Sequence, residues 1–147
     1  MDEYGYVVNV DGAVYRDGEY LLIERAADEA HAAGVLGLPG GKLEAPPGER
    51  DALDATVRRE LREEVGVVVD RVTVVASGTF ETDDGTACLN VVCLCEYADG
   101  EARPVAADEV AGVEWVSLAA LDERSDVPGY TERYLRDADE ARPDRGW

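Results

Sequence analysis

Residues 59–67, Arg-Glu-Leu-Arg-Glu-Glu-Val-Gly-Val, set three carboxylates and an apolar stripe into one helical register that stops at a glycine. With about 100° per residue and Glu60 at zero, Glu64 lies near about +40° and Glu63 near about −60°, so the three acids share roughly a third of the circumference. Leu53, Val57, Leu61 and Val65 sweep the adjoining arc, which puts Glu64 beside the face that must be buried. Like charges gathered this way repel by about a few tenths of a kcal/mol per exposed pair, and by more as water is removed, so a bound cation is the natural compensation. A solvated acidic face is the alternative, since 33 of 147 residues are acidic. The ordered succession Arg-Glu-apolar-X-Glu-Glu-X-Gly-apolar is much rarer than three glutamates on a helix, and it points to a divalent-metal site.

The rest of the composition narrows the setting. The length suits one domain, residues 1–147, with a real core under 46% hydrophobic residues. A net charge of −19 leaves no basic stripe to neutralise phosphates, which excludes duplex nucleic acid as a partner. Lys42 is the sole lysine, and abundant Asp, Glu, Ala and Val resemble the proteins of salt-accumulating halophiles. In molar salt the Debye length is about 3 Å, so weak folding is expected at low ionic strength and recovery at high. No run of 18 apolar residues is present and the chain begins Met-Asp-Glu, so neither a membrane span nor a signal peptide is expected and the cytoplasm is the expected compartment. Cys88, Cys93 and Cys95 are odd in number and read as buried reduced thiols.

Two β-runs over residues 6–15 and 19–24 flank Asp17-Gly18, a hairpin turn signal. A loop over 26–34 and a short strand at 36–38 lead to Leu-Pro-Gly-Gly-Lys-Leu-Glu at 38–44. The acidic helix spans about 50–65 with Gly66 as its stop. Strands at 67–80 and 87–96 enclose the turn Asp83-Asp84-Gly85, another strand lies at 113–116, and an amphipathic helix at 131–141 precedes a polar tail, about 137–147. The pattern is α+β or α/β.

The acidic helix with its preceding Gly-Gly loop resembles the Nudix hydrolase signature: Gly, five residues, Glu, seven residues, then Arg-Glu-apolar-X-Glu-Glu-X-Gly-apolar. The second half matches throughout. In the first half seven residues separate Gly41 from Glu49 and nine separate Glu49 from Arg59, which implies a lengthened loop around Ala45-Pro46-Pro47. Pro47-Gly48-Glu49 is similar to the family's Pro-Gly-Glu, while rigid counting back from Arg59 selects Asp51 instead; both alignments stay open. The resemblance implies an α/β/α sandwich around a mixed sheet and Mg²⁺- or Mn²⁺-dependent hydrolysis of a nucleoside diphosphate linked to another group.

By the same resemblance, Glu60, Glu63, Glu64 and the Gly41 carbonyl are metal ligands. Glu63, Glu64, Arg59 and Glu109 carry the chemistry, with Arg59 orienting Glu63 at i+4. Glu109 sits six positions before Trp115, as a metal-approaching glutamate does in MutT-type members, and is the candidate general base or further ligand; an exposed loop acid is the alternative. Arg25 and Lys42 are phosphate contacts, Glu49 belongs with the substrate contacts, and Phe80, Tyr130 or Tyr134 can stack on a base. Trp115 is assigned to the core and His31 is left outside the site. Residues 25–31 with the Gly-Gly loop are most similar to MutT-type nucleoside triphosphate pyrophosphohydrolases, although Tyr130 stands where those carry a base-reading asparagine. An ADP-ribose or nucleotide-sugar pyrophosphatase and a non-catalytic nucleotide sensor are the alternatives. The expected partner is a small-molecule nucleotide, and a homodimer is compatible with the chain.

Overall fold

The structure, a computed structural model, describes residues 3–26 and 34–147, residue 145 by its backbone alone. The elements run β1 (Val7–Arg16), β2 (Glu19–Arg25), β3 (Leu36–Gly37), β4 (Gly40–Lys42), α1 (Ala52–Val65), β5 (Val68–Glu81), β6 (Ala87–Asp99), β7 (Val110–Val116), α2 (Leu118–Leu121), α3 (Gly129–Ala141) and a 3₁₀ turn (Pro143–Arg145). The sheet follows the order β3-β2-β1-β6-β5, with β4 on β1 and β7 on β2. β1 and β6 run parallel from Val7↔Cys88 to Tyr15↔Glu96 and the remaining pairs are antiparallel, so the sheet is mixed.

Side chains alternate across a strand, and that period divides the core in two. Val10 and Val14 of β1 face α1 together with Leu21, Ile23, Val91, Cys93 and Cys95, against Val57, Leu61 and Val65. Ala13 of β1 faces the other way with Tyr20, Leu22, Leu38, Val92 and Leu94, against Leu135 and Ala138 of α3. The sheet is therefore held between helices, the α+β sandwich expected from the pattern of elements.

Local signals placed most elements. Asp17 (φ 48°) and Gly18 (φ 85°) make the β1–β2 turn with two left-handed residues, as a tight hairpin requires. Long-range pairing changed others. The Gly40–Lys42 segment, expected as loop, is a strand on β1. α1 begins at Ala52 rather than 50, because Asp51 takes a left-handed conformation (φ 54°) without a side-chain cap. Short α2 was not anticipated; Ser117 caps it through the Ala120 N–H at 3.2 Å. Residues 137–147, read as a tail, include the last turn of α3, and Trp147 packs on the second core beneath Arg71. Trp115 is only partly buried: it meets Tyr97 edge-on at 5.8 Å and carries the Arg16 guanidinium 3.9 Å from its ring centre.

All three cysteines are buried and free, and burial pushes the Cys93 thiol up to about 11. Leu61 is fully buried at the centre of the α1 face, with its Cδ1 packed towards Gly12 of β1. Leu61→Ala is expected to cost about 3 kcal/mol in urea unfolding, because the cavity left between α1 and the sheet cannot collapse around a strand already in contact.

Candidate active site

Leu61 and Val65 are carried fully into the core, and Gly66 ends α1 in the left-handed conformation (φ 72°) with its N–H on the Arg62 carbonyl at 3.2 Å. Glu64 lies on the same arc and goes in with them, to 4% exposure. A carboxylate so buried needs donors, and the Gly40 N–H donates to Glu64 Oε1 at 3.0 Å. β4 is fixed for that contact by the Asp11↔Gly40 and Val10↔Gly41 pairings and by the Gly12 N–H on the Pro39 carbonyl at 2.8 Å. A Cβ built on Gly40 runs into the Val10 carbonyl, and one on Gly41 falls 2.5 Å from the Glu60 carboxylate. Close approach of backbone requires glycine at 40, while at 41 a Cβ would displace Glu60 from the place it holds.

Burial pushes Glu64 up to about 7; the Gly40 N–H and Arg25 pull it back, while Glu60 and Glu109 raise it further. Arg25 and Glu109 thus stand in the field of Glu64 although they lie far from it in sequence. The loop before β7 is tied to the same place, since the Val105 N–H donates to the Glu64 carbonyl at 2.9 Å and the Ala26 N–H to the Glu109 carbonyl at 2.9 Å.

Arg59 does not select Glu63 as its helical spacing suggested. Its Nη2 is 3.3 Å from Glu60 Oε1 and its Nη1 donates to the Glu44 carbonyl at 3.3 Å, while Glu63 is at 4.0 Å from Nε. The carbonyl beyond β4 draws the guanidinium towards the glycine strand, where Glu60 already is. Glu63 stays 61% exposed. Among the described residues no three acidic side chains are gathered into a complete ligand cluster. The donor set nevertheless fits a small hard cation: two carboxylates facing a strand whose side-chain space a Cβ would fill, with one of them buried and short of positive charge.

On the opposite face of the sheet, between β1, β5, β6 and α3, lies a cavity of about 590 Å³, within the range of small-ligand sites. Phe80 and Tyr130, both half-exposed, line it, and Tyr134 does too. Arg25 also lines it, and its field reaches both Asp11 and Glu64, which links the cavity to the acidic helix. Lys42 and Glu49 are not brought to it: Lys42 is exposed at the far end of β4, and Glu49 is exposed in the turn closed by its own N–H on the Pro46 carbonyl. His31 lies outside the described residues.

The sequence reading missed a polar group on the cavity floor. Asn9 Nδ2 donates to Asp11 Oδ1 at 2.8 Å and to Asn90 Oδ1 at 2.7 Å. Asn90 is 7% exposed, and burial pushes Asp11 up to about 6 against the opposing pull of Asn9, Arg25 and Asn90. The signal was present: Asn9 and Asp11 are polar at i and i+2 in an otherwise apolar strand, hence on one face.

Residues 5–137 match the NUDIX domain family model. The chain is 33% identical over 111 residues to the 8-oxo-dGTP diphosphatase of Escherichia coli (strain K12), covering 76% of this chain and 80% of that enzyme. Among solved structures, a MutT Nudix hydrolase from Burkholderia pseudomallei superposes with a TM-score of 0.76 at 30% identity, covering 90% of this chain and 98% of the other. The MutT protein of Methanosarcina mazei Go1 gives 0.77 at 26% identity, covering 95% and 97%. The Nudix domain of Shewanella oneidensis NrtR, solved with ADP ribose, shares the fold with a TM-score of 0.72 at 21% identity, over 95% and 92%. With a family match across most of its length and an enzyme relative sharing a third of the aligned residues, the chain belongs to the NUDIX domain family and is a Nudix hydrolase of the MutT-like kind.

Proposed function

We propose that the protein hydrolyses nucleoside triphosphates at an anhydride bond, using Mg²⁺ or Mn²⁺. One observation carries the reading: Glu64 is buried on the Gly40 N–H beside Glu60, and Arg25 connects this acidic pair to a nucleoside-sized cavity. Glu60, Glu63, Glu64 and the Gly41 carbonyl are the groups to hold the ion. When bound, the ion lowers the pKa of water and neutralises charge developing on the bridging oxygen.

The chain's own groups do the rest. Arg59 holds Glu60 towards the glycine strand. Arg25, at the cavity rim, and Lys42 bind phosphate oxygens, and Phe80 and Tyr130 flank the base. Water attacks phosphorus, its oxygen forming the new P–O bond as the bridging P–O bond breaks; the water's proton passes to the Glu109 carboxylate. Among the described residues no helix is long and apolar enough to cross a membrane. Three free thiols and a nucleotide substrate accord with a cytoplasmic setting.

The test is a product screen in molar KCl with Mg²⁺ or Mn²⁺, over nucleoside triphosphates, ADP-ribose, nucleotide sugars and dinucleoside polyphosphates. Run in H₂¹⁸O, mass analysis locates the attacked phosphorus. Triphosphates are expected to be turned over with kcat/KM at least about tenfold above ADP-ribose, a margin of about 1.4 kcal/mol. Faster cleavage of ADP-ribose supports the alternative enzyme, and nucleotide binding without turnover of any compound overturns hydrolysis in favour of a sensor.

A further inference from the structure

Asp11 and Glu64 meet at one glycine. The Gly40 N–H donates to Glu64 Oε1 at 3.0 Å, while a Cβ built on Gly40 falls 2.5 Å from Asp11 Oδ1, in the lining of the cavity. Asp11 is held in that place. Asn9 Nδ2 donates to its Oδ1 at 2.8 Å, the Asn90 side chain is a second hydrogen-bond partner, and β1 is paired here with β4 on one side and β6 on the other. A carboxylate with two amide partners, on a strand bonded along both edges, is a fixed charge. Neither the acidic helix nor the stacking residues account for it.

Arg25 is the cation that both carboxylates feel. Its backbone is pinned, with its N–H on the Val35 carbonyl at 3.1 Å and its own carbonyl taking the Gly34 N–H at 2.9 Å, so only the side chain can move. That side chain lines the cavity and makes no ion pair among the described residues. In a chain of net charge −19 the opposite is the rule: Arg58, Arg59, Arg71, Arg124, Arg136 and Arg142 each take an acidic partner. The pull on Arg25 towards α1 is strong, since Glu60 and Glu109 share the field of Glu64. A guanidinium on a flexible stem stays out of such a group only if a charge on the other side offsets the attraction, and Asp11 is placed to do so.

We propose that Asp11 is a positioning residue for Arg25: fixed by Asn9 and Asn90, it opposes Glu64 and keeps the guanidinium in the cavity, open to the phosphates of the substrate. This rests on the nucleotide-hydrolase reading and adds to it how a phosphate contact is kept free of the neighbouring acids. The sign of one substitution tells positioning from proximity. Were Asp11 only a charge near the phosphates, its neutralisation would relieve repulsion and tighten nucleotide binding. As the counterweight to Glu64, its neutralisation lets Arg25 fall onto Glu64 and loosens binding.

The test is calorimetric binding of dGTP in EDTA and molar KCl at pH 8, above the values to which burial pushes either carboxyl, for wild type, Asp11→Asn, Arg25→Ala and the double variant. Asp11→Asn is expected to weaken binding by roughly tenfold, the scale of a coupled pair of charges, and to have no weakening effect once Arg25 is alanine. Asn9→Ala, which keeps the charge but removes one of the bonds that aim it, is expected to weaken binding by a smaller factor, again only where Arg25 is present; it decides the matter if Asp11→Asn does not fold. Binding by Asp11→Asn as tight as wild type or tighter, or an equal loss with and without Arg25, overturns the proposal. Because binding is read without turnover, coupling through Arg25 in a protein that hydrolyses no triphosphate leaves the positioning role standing and removes the hydrolase. Turnover without that coupling does the reverse.

Discussion

Glu64→Gln is expected to slow turnover by roughly a thousandfold, the equivalent of about 4 kcal/mol of lost transition-state stabilisation, while nucleotide binding persists. The same substitution is expected to stabilise the metal-free protein at pH 8. Glu64 is pushed up to about 7 from an ordinary value of 4.5, chiefly by burial. The folded state therefore holds a proton that the unfolded state has released across that window, and stability falls as pH rises from 4.5 through 7. At about 1.4 kcal/mol per unit, the ionised side chain costs the fold about 3–4 kcal/mol above that window. Glutamine keeps an oxygen for the Gly40 N–H and carries no charge, so the penalty disappears. Melting in EDTA at pH 5 and pH 8 checks this: the variant is expected to exceed wild type by several degrees at pH 8 and to match it at pH 5. Taking the difference between the two proteins removes the background of the other acids. If both lose stability in parallel between those pH values, Glu64 is not the buried charge described, and its place at a cation site loses its electrostatic basis.

Gly40→Ala and Gly41→Ala should separate fold from chemistry although the two positions are adjacent. Neither glycine has a positive φ, so the constraint is space. A Cβ at Gly40 meets the backbone of Val10 and Asp11, which is paired on both sides and cannot yield without parting β4 from β1. A loss of at least about 3 kcal/mol is expected, with activity lost along with structure. A Cβ at Gly41 meets the Glu60 carboxylate, the far end of a flexible side chain that can swing away. That variant is expected to remain within about 1 kcal/mol of wild type and to lose roughly a hundredfold in kcat/KM, about 2.7 kcal/mol, because Glu60 no longer faces the strand. Urea unfolding and steady-state kinetics on both proteins decide it. Equal destabilisation, or full activity of Gly41→Ala, contradicts the placement of Glu60.

The two substitutions also mark where the sequence was readable. That residues 40 and 41 needed glycine was visible from the Gly-Gly pair, but what approached them was not. Strand β4 exists only because β1 offers it an edge, and the carboxylates reach it from a helix about twenty residues further along the chain. Arg59 illustrates the same limit: helical spacing points to Glu63 at i+4, and a carbonyl from the loop after β4 draws the guanidinium to Glu60 instead.

The sequence by itself determined the register of α1. Glu60, Leu61 and Glu64 keep their mutual angles whatever the rest of the chain does, because a helix fixes its own geometry through bonds four residues apart. The hairpin at Asp17-Gly18 and the stop at Gly66 are local in the same sense, set by backbone angles that few residues adopt. Only the tertiary structure decided that Glu64 loses its water and meets the Gly40 N–H, and that Asn9 meets Asn90 across 81 residues. Those contacts depend on which strands pair and which faces are covered, a balance of burial and chain entropy over the whole domain that no local period encodes.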